Sequence, residues 1–231
     1  MHSFKLFSLL LVIGFISCQK DGDLREIPSL TDEDLAMTLE ASLSAAQGGM
    51  TLDLEDAAEM AADMDLSCGA SNQMSTTQTG SQGNYSISAS WSWNVLCEGP
   101  VPNQINFLVS GKSTADANNL SLQSNNEGSL TASNLVAGTD YLFNGSLNRV
   151  ATTQIKTQQT NRTILSNITI VFDEIKVKKL VYEVTGGSAT IQVKATLDGG
   201  DSVDYTGKIV FHGSRSATIT LNNGQTYTIN L

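Results

Sequence analysis

Between Tyr85 and Cys97 apolar and polar residues alternate without a break. Tyr85, Ile87, Ala89, Trp91, Trp93, Val95 and Cys97 share one phase, and four serines, Asn94 and Leu96 take the other. A period of two sends successive side chains to opposite faces of a strand, so this run predicts a strand with one buried face. The same rhythm returns at Ile105, Phe107 and Val109; at Tyr141, Phe143 and Leu147; and at Ile164, Ile168, Ile170 and Phe172. It continues through Ala189–Leu197, Val203–Phe211, Ala217–Leu221 and Tyr227–Leu231. Turn-forming residues separate the runs at Gly186-Gly187, Asp198–Asp201, His212–Ser214 and Asn222–Gly224, and the last three set four strands in a C-terminal meander. Strands with one apolar face and one Ser/Thr/Asn face belong to antiparallel sheets wet on one side. The expected fold is mainly β, with antiparallel sheets forming a sandwich or a partly closed barrel. Gly145 and Gly207 fall in the apolar phase, where they are expected to permit bending or close packing.

Upstream the period lengthens. Leu35, Leu39 and Leu43 recur every fourth residue, preceded by Thr31 and Asp34 in capping-box spacing and followed by Gly48-Gly49 as a stop. A second run starts near Thr51, with Leu54, Ala57, Ala61 and Met64 on one face, Met60 beside them, and Asp53, Glu55, Asp56, Glu59 and Asp63 on the others. Two short N-terminal α-helices follow from this. Each is marginal alone, so they are expected to pack on the β domain, covering one opening or edge of it. Their acidic residues read as a solvated face, with a cation site or a docking surface for a basic partner as the alternatives. Residues 67–83 show no apolar periodicity.

Charge divides the chain in the same place. Residues 19–65 hold 13 Asp+Glu against Lys20 and Arg25, whereas residues 66–231 hold 10 acidic and 10 basic residues. The net charge of −10 over 231 residues argues against a nucleic-acid partner, which requires a basic face to displace counterions. With 40% hydrophobic residues and three prolines, wholesale disorder is excluded as well.

The N-terminus reads as an address. Lys5 precedes eleven apolar or small residues, Leu6 to Ile16, which as a helix span about 16 Å, roughly half a bilayer core. That length fits a secretory signal and not a transmembrane anchor. Phe15-Ile16-Ser17-Cys18 resembles a bacterial lipobox, with Phe15 departing from the usual Leu. Gln19, Lys20, Asp21 and Asp23, around Gly22, resemble the export signal that sends Bacteroidota lipoproteins to the outer leaflet of the outer membrane. A plain hydrophilic tether is the other reading of that run. Taken whole, with the acidic helix ending in Gly-Gly and the meander of residues 205–231, the chain resembles a family of Bacteroidota-type surface lipoproteins. The resemblance implies a lipid on Cys18 and attachment to the membrane through it, and it implies no activity. The expected organisation is a signal peptide over 1–17, lipidated Cys and tether over 18–30, an acidic helical segment over 31–65 and an antiparallel β domain over 66–231. A membrane-spanning barrel would also alternate with period two, but the anchor would then be redundant and aromatics are only 6%.

With Cys18 carrying lipid, Cys68 and Cys97 remain as an even pair in an oxidising compartment and are expected to form a disulfide. The bond would tie the helical segment to the first alternating strand, and its reduction is expected to free residues 31–65 before the β domain melts. Catalytic motifs are missing: there is no GxSxG, HExxH, P-loop or CxxC, and His212 is the one histidine after the signal. Asp198, Asp201 and Asp204 could hold Ca²⁺, although a polar hairpin tip accounts for them equally. Trp91 and Trp93 share the phase of Ile87 and Val95 and so read as core rather than as a glycan platform. The expected function is therefore that of an outer-membrane lipoprotein displayed at the cell surface, a non-enzymatic binding, adhesion or envelope-structural module with a protein or glycan partner and no cofactor. The alternative is a surface hydrolase acting on polysaccharide or peptide through carboxylates, for which two of Asp173, Glu174, Glu183, Asp198, Asp201 and Asp204 would have to converge in one cleft.

Overall fold

The computed structural model describes residues 29–80, 85–117, 119–156 and 161–231. Residues 1–17, expected to be a signal peptide, Cys18 and the run Gln19, Lys20, Asp21 and Asp23 lie outside the described residues. Helix α1 (Asp32–Leu43) starts at a reciprocal cap: Asp34 N–H donates to Thr31 Oγ1 at 3.2 Å and Thr31 N–H donates to Asp34 Oδ2 at 2.9 Å. A 3-10 turn, Ala45–Gln47, ends on Gly48 at φ 70°, a left-handed conformation that a β-carbon disfavours. Gly49 then caps α2 (Met50–Asp63).

Ten strands follow: β1 (Ser71–Thr79), β2 (Tyr85–Glu98), β3 (Val101–Ala117), β4 (Leu120–Ser133), β5 (Asp140–Lys156), β6 (Asn161–Lys178), β7 (Val184–Leu197), β8 (Ser202–His212), β9 (Ser216–Leu221) and β10 (Thr226–Asn230). They form one antiparallel sheet in sequence order. Among the described residues no ladder joins β1 to β10, so the sheet is open. The second sheet of a sandwich is not what covers its apolar face; the helix pair takes that place. Leu39, Leu43, Met50 and Leu54 from the helices and Ile105, Phe107, Phe143 and Ile168 from the strands are all fully buried in one core. The helical segment therefore shares its core with the sheet.

Local features refine the sequence reading. Gly186 and Gly187 lie inside β7, and the preceding reversal is made at residues 179–183, where Tyr182 N–H donates to the Lys178 carbonyl at 2.8 Å. Gly145 sits at φ 133° beside a break in the β5–β6 register, and a β-carbon there would lie 2.2 Å from the Ser129 carbonyl oxygen. At Gly207 the corresponding approach to the Thr220 carbonyl oxygen is 2.5 Å. Both glycines thus permit close strand approach. The disulfide Cys68–Cys97 is formed, with Cα atoms 5.6 Å apart, and ties the segment after α2 to the end of β2. Strands β1 and β4 had no counterpart in the alternating pattern.

Candidate functional site

Helix α2 crosses the apolar face of the sheet and leaves a groove of about 340 Å³ where it approaches β1 and β2. Asp56, Glu59, Met60, Asp63 and Met64 line it from the helix, spaced so that they share one helical face. Met74, Thr76 and Gln78 line it from β1, and Trp91 and Trp93 from β2, each set on alternate positions and so on the same side of the sheet. The floor is aromatic and thioether and the rim is carboxylate, with no Lys or Arg in the lining.

Trp91 is 2% exposed and packs edge-on against Phe107, with ring centroids 6.2 Å apart. Its Nε1 has no hydrogen-bond partner among the described residues. Trp93 is half-buried and Met74 is 39% exposed, so the groove is open to solvent at its β1 side. Gln78 Nε2 donates to both carboxylate oxygens of Asp56 at 3.0 Å. Burial nevertheless pushes Asp56 up to about 6, since the hydrogen bond from Gln78 offsets only part of the desolvation and Glu59 adds repulsion. Glu59 and Asp63 are exposed. Such a site offers the ring of the half-buried Trp93, polarizable sulfur and negative charge together, which suits a cationic group carried on an apolar body.

A second cluster of polar groups is sealed beneath the helices. Arg149 on β5 is fully buried, donating from Nη1 to the Gly48 carbonyl at 2.9 Å and the Ser42 carbonyl at 3.4 Å, and from Nη2 to Ser113 Oγ at 2.8 Å. The guanidinium thus meets the C-terminal carbonyls of α1 and of the 3-10 turn, where the helix dipole favours a cation. Asp34 at the other end of α1 pairs with Arg162 at 3.1 Å, so both ends of the helix are pinned to the sheet. Asp53, 3% exposed on the first turn of α2, is pushed up to about 7 by burial, against the opposing pull of Arg149. The acidic helix residues are accordingly not one solvated face: Asp34 and Asp53 are buried, and Asp56 is half-buried in the groove.

The carboxylates singled out for a hydrolytic pair do not line any of the four clefts described. Glu183 pairs with Arg215 at 3.2 Å, Asp204 pairs with Lys194 at 3.6 Å, and Asp201 Oδ1 accepts from Leu30 N–H at 2.7 Å. Among the described residues no three His, Cys, Asp or Glu side chains gather as a metal site, and Asp198, Asp201 and Asp204 are no exception. His212 Nε2 lies 2.9 Å from Thr218 Oγ1 in an exposed pair. The groove residues on α2 were visible in the sequence only as an amphipathic stripe; their partners on β1 carried no signal at all. Comparison of the chain with protein-family models, with curated proteins and with solved structures finds no match in any of the three.

Proposed function

We propose that this protein is an outer-membrane lipoprotein, anchored through Cys18 and displayed at the cell surface by the Gln19, Lys20, Asp21 and Asp23 run, as in the Bacteroidota-type surface lipoproteins it resembles. Its role is that of a non-enzymatic binding module, in which the open sheet, curled toward a partly closed barrel, holds the helix pair and presents the groove between α2 and β1–β2 as the ligand site. The observation that carries the binding reading is the composition of that groove: a tryptophan and methionine floor, open at one side, under three carboxylates.

Two experiments test it. Cys18→Ala should leave the protein unprocessed or soluble on cell fractionation, because acyl chains supply anchoring at about 0.8 kcal/mol per buried CH₂. A variant still cleaved and still wholly in the outer membrane would end the lipoprotein reading. For the site, the chain is screened on glycan and peptide arrays alongside Trp93→Ala, which opens the groove wall without touching the buried Trp91. Binding should be lost in the variant; hits that survive unchanged would place recognition elsewhere. Turnover of a hit would instead favour the carboxylate-dependent hydrolase.

A further inference from the structure

The two edges of the sheet are unlike. β10 is five residues long, and α1 sits against it, with Asp32 accepting from the Gln225 side chain. β1 is nine residues long, Ser71–Thr79, and pairs with β2 without a register break. Its outer side pairs with no strand among the described residues. Natural sheets blunt such an edge with Lys, Pro, an inward charge or a bulge. β1 has none of these: its residues are Ser, Asn, Gln, Met and Thr. Nine residues of antiparallel edge present roughly four or five outward N–H and C=O pairs; the Gln73 N–H is taken by Asn72 Oδ1 at 2.8 Å, and the others form a template for one more strand.

We propose that β1 is a docking edge for an extended basic peptide, which adds as an eleventh strand and places alternate side chains in the adjoining groove. The inference rests on the groove being the ligand site and names what occupies it. A strand added at about 4.8 Å from β1 presents every second side chain to the same side as Met74, Thr76 and Gln78. On that side stand the exposed carboxylates Glu59 and Asp63 of α2, with no basic residue in the groove lining to satisfy them. Lysine or arginine at alternate positions has the length to reach them while its methylene stem lies along Met74 and Trp93. Backbone pairing supplies affinity and the charged groove supplies selectivity, which is the division of labour in strand-addition recognition.

Charge also decides against the two occupants nearest to hand. A second copy of this chain, paired β1 to β1, would bring two sets of Asp56, Glu59 and Asp63 together. The segment preceding α1 carries Asp21, Asp23 and Glu26 against Lys20 and Arg25, a net negative charge that gives the carboxylates no surplus cation to pair with.

The test uses the full chain in nanodiscs of neutral lipid and four synthetic nine-residue peptides of three designs. The first alternates Lys with Val; the second is identical but N-methylated at alternate residues, in two versions that block one edge or the other; the third carries Glu for Lys. The first should quench Trp91 and Trp93 fluorescence and slow amide exchange across Ser71–Thr79. One N-methylated version should bind at least about tenfold more weakly, as expected for the loss of a few net hydrogen bonds, and the Glu peptide should not bind. Glu59→Gln with Asp63→Asn, both on exposed positions, should weaken the Lys peptide about tenfold and flatten its salt dependence. If both N-methylated versions bind as tightly as the parent, strand addition is overturned and the groove reading stands. If no Lys peptide binds while array ligands still depend on Trp93, the inference fails alone. Binding indifferent to Trp93→Ala and to the carboxylate variant would overturn both. Protection of β1 in a peptide-free dimer would assign the edge to a second copy and end the proposal.

Discussion

Replacing Asp53 by Asn should stabilise the protein at neutral pH and leave it nearly unchanged in acid. Asp53 is 3% exposed, and its Oδ2 has no hydrogen-bond partner among the described residues. Burial raises its folded value from 3.8 to about 7 even with Arg149 opposing the rise. Over that interval the native state holds a proton that the unfolded state has released. Stability from this group is therefore fully present below about pH 4 and is lost as pH climbs toward 7. At about 1.4 kcal/mol per pH unit the gap between 3.8 and about 7 amounts to about 4 kcal/mol. Asparagine keeps the shape and removes the ionisation, so Asp53→Asn should exceed the parent by about 2–4 kcal/mol at pH 8 and match it within about 1 kcal/mol at pH 4. Glu55 and Asp56, pushed up to about 7 and about 6 chiefly by burial, act in the same direction and stay in the variant. Its stability should thus still fall with pH, but less steeply. Urea denaturation at half-unit pH steps measures both curves. A variant less stable than the parent at pH 8 would mean that ionised Asp53 is held favourably by Arg149, and the desolvation argument would be wrong.

Three further outcomes are expected. Arg149→Met removes the guanidinium donor from the Gly48 carbonyl and from Ser113 Oγ, and should cost about 2–4 kcal/mol in urea denaturation at pH 7; parental stability would show that apolar contacts alone hold the helices to the sheet. Reduction of Cys68–Cys97, which closes a loop of 29 residues, should lower stability by about 3–4 kcal/mol. Helix and sheet should melt in one transition, because Leu39, Leu43, Met50 and Leu54 share the sheet's core; separate transitions by far-UV circular dichroism and tryptophan fluorescence would show the helical segment to be an independent unit. Gly145→Ala drives a β-carbon to 2.2 Å from the Ser129 carbonyl oxygen at φ 133° and should lower the melting temperature by several degrees or prevent folding, whereas a neutral result would mean that β4 and β5 separate there at no cost.

Wherever one face of an element is buried against apolar neighbours, the residues alone determined its structure. The alternation from Tyr85 to Cys97 marked β2, the Leu35–Leu39–Leu43 stripe and the Thr31–Asp34 pair marked α1, and the two cysteines paired as their count implied. β4 escaped because its buried phase runs through Ser124 and Asn126, polar residues accommodated beside Ser113 and Arg149 in the interior. A hydrophobic pattern cannot report a strand whose inward side chains are satisfied by hydrogen bonds from other strands. β1 escaped for a different reason: it is a strand through backbone pairing with β2, and most of its side chains are exposed. Those two strands shape the chemistry. Tertiary structure alone brought Arg149 to the end of α1, more than 100 residues away in sequence. It also turned Asp53 from an ordinary helix carboxylate into a buried acid, and set α2 over β1 to make a groove from residues that no local rule connects. Local pattern decides which face of an element is buried; which polar groups are buried with it depends on partners that only the folded chain supplies.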